Sequence, residues 1–479
     1  MVGKVRKSSR KTAAPLPVEE PPAIGPRLSR AEQFEMGKSL RSACPRRSHA
    51  AWNPADDRPD PVALLEQSSE GRIPELVPIR YGRMMHSPFA FYRGAALNMA
   101  ADLARTPASG GRTQVCGDCH LLNFGAFATP ERHIVFDIND FDETLPAPWE
   151  WDVKRLAASF VLACRENGLS DDLARDAARA CVRSYRERTA EFSEMCVLDV
   201  WYTRIDLEEL IPKIADEEAR KRTQKHLATA RERSRQEHDD PKLADIAGRE
   251  ATIKDNPPLI YHFPEAAHEE FIAPMQAAFA GYRKSLQDDR RHLLDRFEVK
   301  DFAVKVVGVG SVGTWCCIML LLASEHDPLF LQIKEARPSV LEAYAGRSAF
   351  ANHGQRIVNG CRLMQSASDL FIGWTAHESG RHFHVRQLKD MKIKPILEVF
   401  SQSLMIQYAQ VCGWALARAH ARAGEPAKVA GYLGKSDAFD EALADFSIAY
   451  ADQTERDHAV FSKAVREGRL DVVIENDTA

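Results

Sequence analysis

Residues 302–336 read FAVKVVGVGSVGTWCCIMLLLASEHDPLFLQIKEA, and the reading of this stretch sets the fold. Three runs rich in aliphatic and β-branched residues are divided by a glycine cluster and by the polar SEHD loop, a spacing that predicts three antiparallel strands. Gly308, Gly310 and Gly313, with Ser311 among them, let the backbone turn tightly and approach a phosphate, leaving N–H groups to bind it. The GxGxxG pattern superficially matches a dinucleotide turn, which requires a following helix and an acid about 20 residues on. Here a strand-like run follows, so a phosphate-covering hairpin fits better. Lys334 lies near Phe330 and Ile333 on the third strand, where its ammonium can emerge from a small sheet toward phosphates.

Upstream, CGDCHLLNFG (116–125) and IVFDINDFDET (134–144) gather Asp118, His120, Asn123, Asp137, Asp140 and Asp142. Phosphoryl transfer needs a group that orients or deprotonates the acceptor hydroxyl, and oxygen ligands for the metal that neutralises the phosphates. Asp118 and Asn123 supply that pair on one short loop, and Asp137, at the end of a predicted strand, is expected to hold the metal from the other side. Such hard oxygens suit Mg²⁺. His120 orients the loop or moves a proton, or is simply structural. Asp140 and Asp142 are candidate second ligands or acceptor-orienting groups, or else a solvated acidic loop. Asp152, at a helix start, reads as structural.

Cys116-x-x-Cys119-His120 satisfies a haem-attachment pattern, but that pattern requires export, and no signal segment is visible. Zinc would require further ligands at recognisable spacing, and no second CxxC exists. The ten cysteines are scattered through 479 residues, which fits reduced thiols in the cytoplasm. A net charge of −4 is too small to steer the protein toward nucleic acid, and no apolar run reaches the roughly 20 residues that span a bilayer.

Four regions are expected. Residues 1–64 read as a flexible, basic and Pro-rich tail and lead-in, and 65–294 as a mainly helical lobe. That lobe carries the acidic block and a charged surface insertion near 207–250, a possible lid. Residues 295–390 form a small nucleotide-binding β-rich lobe, and 391–479 a helical region that completes the large lobe.

The stretches SPFAFYRGAA, GDCHLLNFG, VFDINDFDETLPAPWEWDVKRLAAS, VGVGSVGT, LFLQIKEA, VRQLKDMK, ALARAHARAG and GYLGKSDAFDEALADFSIAYADQTERD resemble a bacterial family known as domain of unknown function 2252, over roughly residues 70 to 465. More distantly, the chain resembles the aminoglycoside phosphotransferase and protein-kinase-like superfamily. That resemblance implies an α+β fold, with Asp118 as the catalytic Asp, Asn123 as the metal-binding Asn and Asp137 as the Asp after the next strand. Gly308, Gly310 and Gly313 would then form the nucleotide loop and Lys334 the phosphate-contacting lysine. The order departs from the superfamily, because here the glycine turn and lysine follow the catalytic loop. A circular permutation with helical insertions reconciles the two. The expected activity is ATP- and Mg²⁺-dependent phosphoryl transfer to a hydroxyl of a small molecule or a protein. The alternatives are a catalytically silent nucleotide-binding regulator and a metal-dependent phosphohydrolase. An acid bracing Lys334 is sought in Glu335 or Glu342, and Arg356, Arg362, Gln365, Arg386 and Lys389 are further candidates to line the site.

Overall fold

The computed structural model describes residues 27–475 apart from 237–242, 248–249, 258, 263–275, 307, 326 and 389–391. The basic tail before residue 27 and Lys389 lie outside the described residues. Helices and antiparallel sheets segregate into an α+β architecture.

The helical part is organised around Trp149–Glu166, whose residues 149–164 are all buried. A helix surrounded on every side belongs to a core. Asp171–Glu194, Gln402–Ala423 and Ala438–Arg466 pack about it in one continuous apolar cluster. The lead-in is ordered from its start. Arg30–Ala43 is a helix, started by a capping box in which Ser29 and Glu32 satisfy each other's backbone N–H. It lies against Pro426–Leu433 so closely that a Cβ on Gly37 would fall 1.9 Å from the Lys428 carbonyl oxygen, and one on Gly431 2.1 Å from that of Phe34.

The predicted small sheet is present and larger than expected. Its order is Gly373–Ala376, His382–Gln387, Pro328–Ala336, Cys316–Leu322, Glu298–Lys305 and Ile260–Tyr261, antiparallel throughout. The helix His353–Met364 connects the lysine-bearing strand to Gly373–Ala376 and packs against Gly373–Ala376 and His382–Gln387. The charged insertion is helical over Glu217–Gln236, as expected, but then forms a hairpin of Ala244–Ala247 and Glu250–Ile253. Leu243, Ala251 and Ile253 pack on Ile318 and Leu320, so this part belongs to the sheet rather than to the surface. The β-rich unit therefore begins well before residue 295.

Two short antiparallel pairs join the lobes. Arg112–Val115 pairs with Leu145–Pro148, and Phe124–Ala128 with Ile134–Ile138. The acidic block occupies the two connections between them, and the Asn139 N–H donates to the Asn123 carbonyl oxygen at 2.8 Å, holding those loops side by side. Among the described residues, no helix is long and apolar enough to cross a membrane.

Candidate functional site

Three pieces of chain converge at one carboxylate. Lys334 projects from the third strand of the hairpin system, is 4% exposed, and donates from Nζ to Asp142 Oδ2 at 2.6 Å. The Ser311 hydroxyl, from the glycine turn, lies 3.5 Å from the same oxygen. Arg356, from the helix after the lysine strand, donates to the Asp142 carbonyl oxygen at 2.8 Å and to that of Thr144 at 2.6 Å. Burial opposes ionisation of Asp142, but Lys334, Arg386 and Arg356 outweigh it and hold the carboxyl below its ordinary range. For Lys334 burial likewise favours the neutral amine, and Asp142 and Asp140 more than compensate, raising its pKa. The pair is therefore charged in the folded protein.

Neither acid expected to brace Lys334 reaches it. Glu335 instead receives Arg381 at 2.5 Å and the Trp315 N–H at 3.1 Å, because alternate residues of a strand face opposite ways. Glu342 approaches His353 at 3.7 Å. Neither braces the lysine.

Gly308 and Gly313 both have positive φ, +72° and +84°, a conformation open to glycine and strained for other residues. Between them Gly310 passes over the Arg93 backbone, its missing Cβ only 3.3 Å from that carbonyl oxygen. Arg72 Nη1 donates to the Val312 carbonyl oxygen at 2.6 Å, and Arg83 donates to that of Gly308. The turn thus sits over the acidic loops and is held from outside by two arginines.

On the adjoining loop Asp118 is half-buried and receives Arg155 Nε at 2.7 Å. Burial raises its pKa against the pull of Arg155, and the Asp140 charge adds to the rise. Asn123 Nδ2 donates to the Asp118 carbonyl oxygen at 2.6 Å, and among the described residues no donor reaches its amide oxygen. His120 is buried, and its Nδ1 has no hydrogen-bond partner among the described residues. Burial, then Arg93 and Arg155, drive its pKa well down, so the ring is neutral.

Asp137 stands apart from the metal role expected of it. It is completely buried inside its strand, with Oδ1 accepting from the Ile138 N–H at 2.8 Å and Arg418 Nη2 at 2.5 Å. Its Oδ2 accepts from both the N–H and the hydroxyl of Ser366 at 2.8 Å. With both oxygens engaged by the protein, Asp137 is a structural anchor and offers nothing to a cleft ligand. Asp142, four residues past the strand, is the half-buried carboxylate that meets Lys334 and Ser311, and Asp140, two residues past it and also half-buried, is close enough for its charge to act on Lys334 and Asp118. Asn123 and Asp140 carry hard oxygens of the kind that suits Mg²⁺, and the cations Arg93, Lys334 and Arg386, whose charges act on Asp118 and Asp142, suit phosphate.

Arg386 is an expected lining residue, and His384, which is not, stands beside it. His384 opposes Lys334 in register, and Arg386 opposes Gln332, to which it donates at 3.1 Å. Their alternation along HFHVRQ places both on the lysine's face of the sheet, a signal present in the sequence.

Cys116 and Cys119 are fully buried, and their sulfurs lie with an Asp152 oxygen inside 4.8 Å of one another. Asp152 accepts from the N–H groups of Cys116 and Gly117 at 2.8 and 3.0 Å and contacts His420 at 3.2 Å, which pins the turn just before Asp118. Burial pushes the Cys119 thiol up to about 12, so it stays protonated and inert. All ten cysteines are unpaired.

Comparison with curated proteins and with solved structures returned no match to either. The profile of the family described as "Uncharacterized protein conserved in bacteria (DUF2252)" spans residues 72–464, from the helices below the glycine turn to the last long helix, and the chain belongs to that family.

Proposed function

We propose that this protein is an ATP- and Mg²⁺-dependent phosphotransferase with a protein-kinase-like arrangement in circularly permuted order. The observation that carries the reading is the meeting of Lys334 and Ser311 at Asp142, across 192 residues of chain between lysine and carboxylate. Support comes also from the sheet. A glycine turn joins its first two long strands, the lysine lies on the next, a helix follows, and two further strands insert beside the lysine strand. That succession is the one expected of a nucleotide-holding lobe, here placed after the catalytic loop.

In this reading Mg²⁺ and ATP together supply the activated phosphoryl group. Gly308, Gly310, Ser311 and Gly313 cover the phosphates with backbone N–H groups, and Lys334 neutralises them. Asn123 and Asp140 would hold the metal. Asp118 would orient the acceptor hydroxyl and take its proton as the bond from the acceptor oxygen to the γ-phosphorus forms and the bond from that phosphorus to the departing ADP oxygen breaks. Asp142 does what a helix glutamate does for such a lysine elsewhere: it keeps the ammonium charged and aimed. Arg155 on Asp118 favours a second reading, a nucleotide-binding regulator without turnover, because the guanidinium occupies the group that must accept the proton.

Calorimetric titration of ATP with Mg²⁺ into wild type, Lys334→Ala and Asp140→Ala, followed by a γ-phosphate transfer assay, separates the readings. Weakened binding in both variants with turnover in wild type supports the transferase. Binding without γ-phosphate loss supports the regulator, and no binding to folded wild type removes both.

A further inference from the structure

A cavity of about 510 Å³ lies on the far side of the Phe124–Ala128 and Ile134–Ile138 hairpin, away from Asp118 and Lys334. Its volume is in the range that buries a small organic ligand, roughly 300–1,000 Å³. The walls come from that hairpin, from the start of Gln402–Ala423, from residues 393–400, and from the charged insertion at 207–226. Phe136, Phe400, Tyr408 and Trp414 give it an aromatic floor. Phe136 and Phe400 meet Tyr408 edge-on, with ring centroids 5.8 and 5.4 Å away.

Two features point to an occupant. First, the mouth leaves large apolar side chains in water: Ile396 is 47% exposed and Val399 44%, and both line the cavity. Single exposed apolar residues need no explanation, but a pair at the lip of an aromatic-floored cavity marks surface suited to cover by an apolar body. Second, the charged lining has one sign. Among the described residues Arg188, Lys213, Arg222 and Lys394 line the cavity and no Asp or Glu does, in a chain whose net charge is −4. Arg188 is committed, paired with Glu191 at 2.7 Å and stacked on Trp414. Arg222 donates to the Val399 carbonyl oxygen at 3.4 Å, and the Asp216 carboxylate is close enough to feel its charge. Lys213 and Lys394 make no ion pair among the described residues. Both are exposed.

We infer that this cavity binds a small amphipathic anion, a single apolar chain ending in a carboxylate. The chain would lie on the aromatic floor beneath Ile396 and Val399, and the carboxylate would meet Lys213 and Lys394 at the rim. An apolar pocket with few, convergent polar groups of one charge discriminates by head group while its walls supply affinity. A neutral or cationic amphiphile of equal length would gain the same burial and lose the charge match. The site is separate from the proposed nucleotide site, since Asp118, Asn123, Asp140 and Lys334 are absent from its lining. It therefore stands whether or not phosphoryl transfer occurs.

The probe is dodecanoate, titrated calorimetrically into the full chain below its micellar concentration, beside dodecyltrimethylammonium and dodecyl maltoside. Saturable one-to-one binding of dodecanoate is expected, with the cationic analogue at least about tenfold weaker. Lys213→Glu and Lys394→Glu, both at exposed positions, should each weaken dodecanoate by about tenfold, with thermal midpoints matching wild type. Val399→Asp should weaken it further by placing an acid at the mouth. Equal binding of all three amphiphiles, unchanged affinity in both lysine variants, or no saturable binding of dodecanoate would each overturn the assignment.

Discussion

Arg418 Nη2 lies 2.5 Å from Asp137 Oδ1, and both side chains are wholly shielded from solvent. The pair ties a helix of the C-terminal region to the strand that leads into the acidic loop. Removing one partner strands a buried charge, so Asp137→Ala should cost about 3–5 kcal/mol in urea unfolding. The double variant Asp137→Ala with Arg418→Met should recover much of that loss. Asp140→Ala, at a half-buried position, should unfold close to wild type while losing Mg²⁺-dependent ATP binding. A stable Asp137→Ala protein that fails only in metal binding would reverse the assignments of these two residues.

Asp118→Asn tests the proposed chemistry most directly. The amide keeps the shape and cannot accept the hydroxyl proton, so transfer of γ-phosphate should fall by about 10²–10⁴-fold. ATP affinity should stay within about threefold of wild type, as read by calorimetry. Equal activity in the two proteins would remove Asp118 from the proton path.

His49 sets an acid limit on stability. It is fully buried beside Tyr432 and Phe439, where burial, and then the Lys154 charge, lower its pKa to about 3. A depressed pKa means that the unfolded chain takes up a proton that the native protein refuses. The contribution is complete above about pH 6.5 and lost on acidification, by about 1.4 kcal/mol per pH unit from this residue. Urea midpoints should fall between pH 7 and 5, and the slope should flatten in His49→Asn. An unchanged slope in that variant would assign the acid sensitivity to other groups.

The contact between the first helix and Pro426–Leu433 is set by two glycines. Gly37→Ala places a methyl group 1.9 Å from a backbone oxygen, which no side-chain rotation relieves. The helices must separate, at a cost of about 1–3 kcal/mol in thermal or urea unfolding. Wild-type stability in this variant would show that the N-terminal helix docks loosely.

Much of this architecture is legible in the residues. The glycine turn, the three strands around it, the buried helix from Trp149 and the long helix ending in ARAHARAG all follow from period and punctuation. Gly373–Ala376 escapes notice because it is four residues long, GWTA, with one β-branched side chain, and it exists through pairing with His382–Gln387. The hairpin at 244–253 is similarly hidden, since its apolar residues gain meaning only against the outer face of the sheet. Within the site, residue types were readable but their directions were not. Asp137, Asp140 and Asp142 are chemically equivalent on paper, and the partners Arg418, Ser366 and Lys334 that distinguish them come from residues 334–418. Strand alternation fixes that Glu335 turns away from the face of Lys334, but only the fold supplies Asp142 in its place.

Arg83 is a shared fastener. Its guanidinium donates to the Gly308 carbonyl oxygen and also to the Glu475 carboxylate, at 2.6 and 2.9 Å, while the Val473 N–H donates to the Pro78 carbonyl oxygen at 2.9 Å. On the ribosome, residues 118, 142, 308 and 334 are all made long before residue 475. The glycine turn therefore gains its last external support only when the segment around Glu475 has been translated and has swung back to residues 78–83.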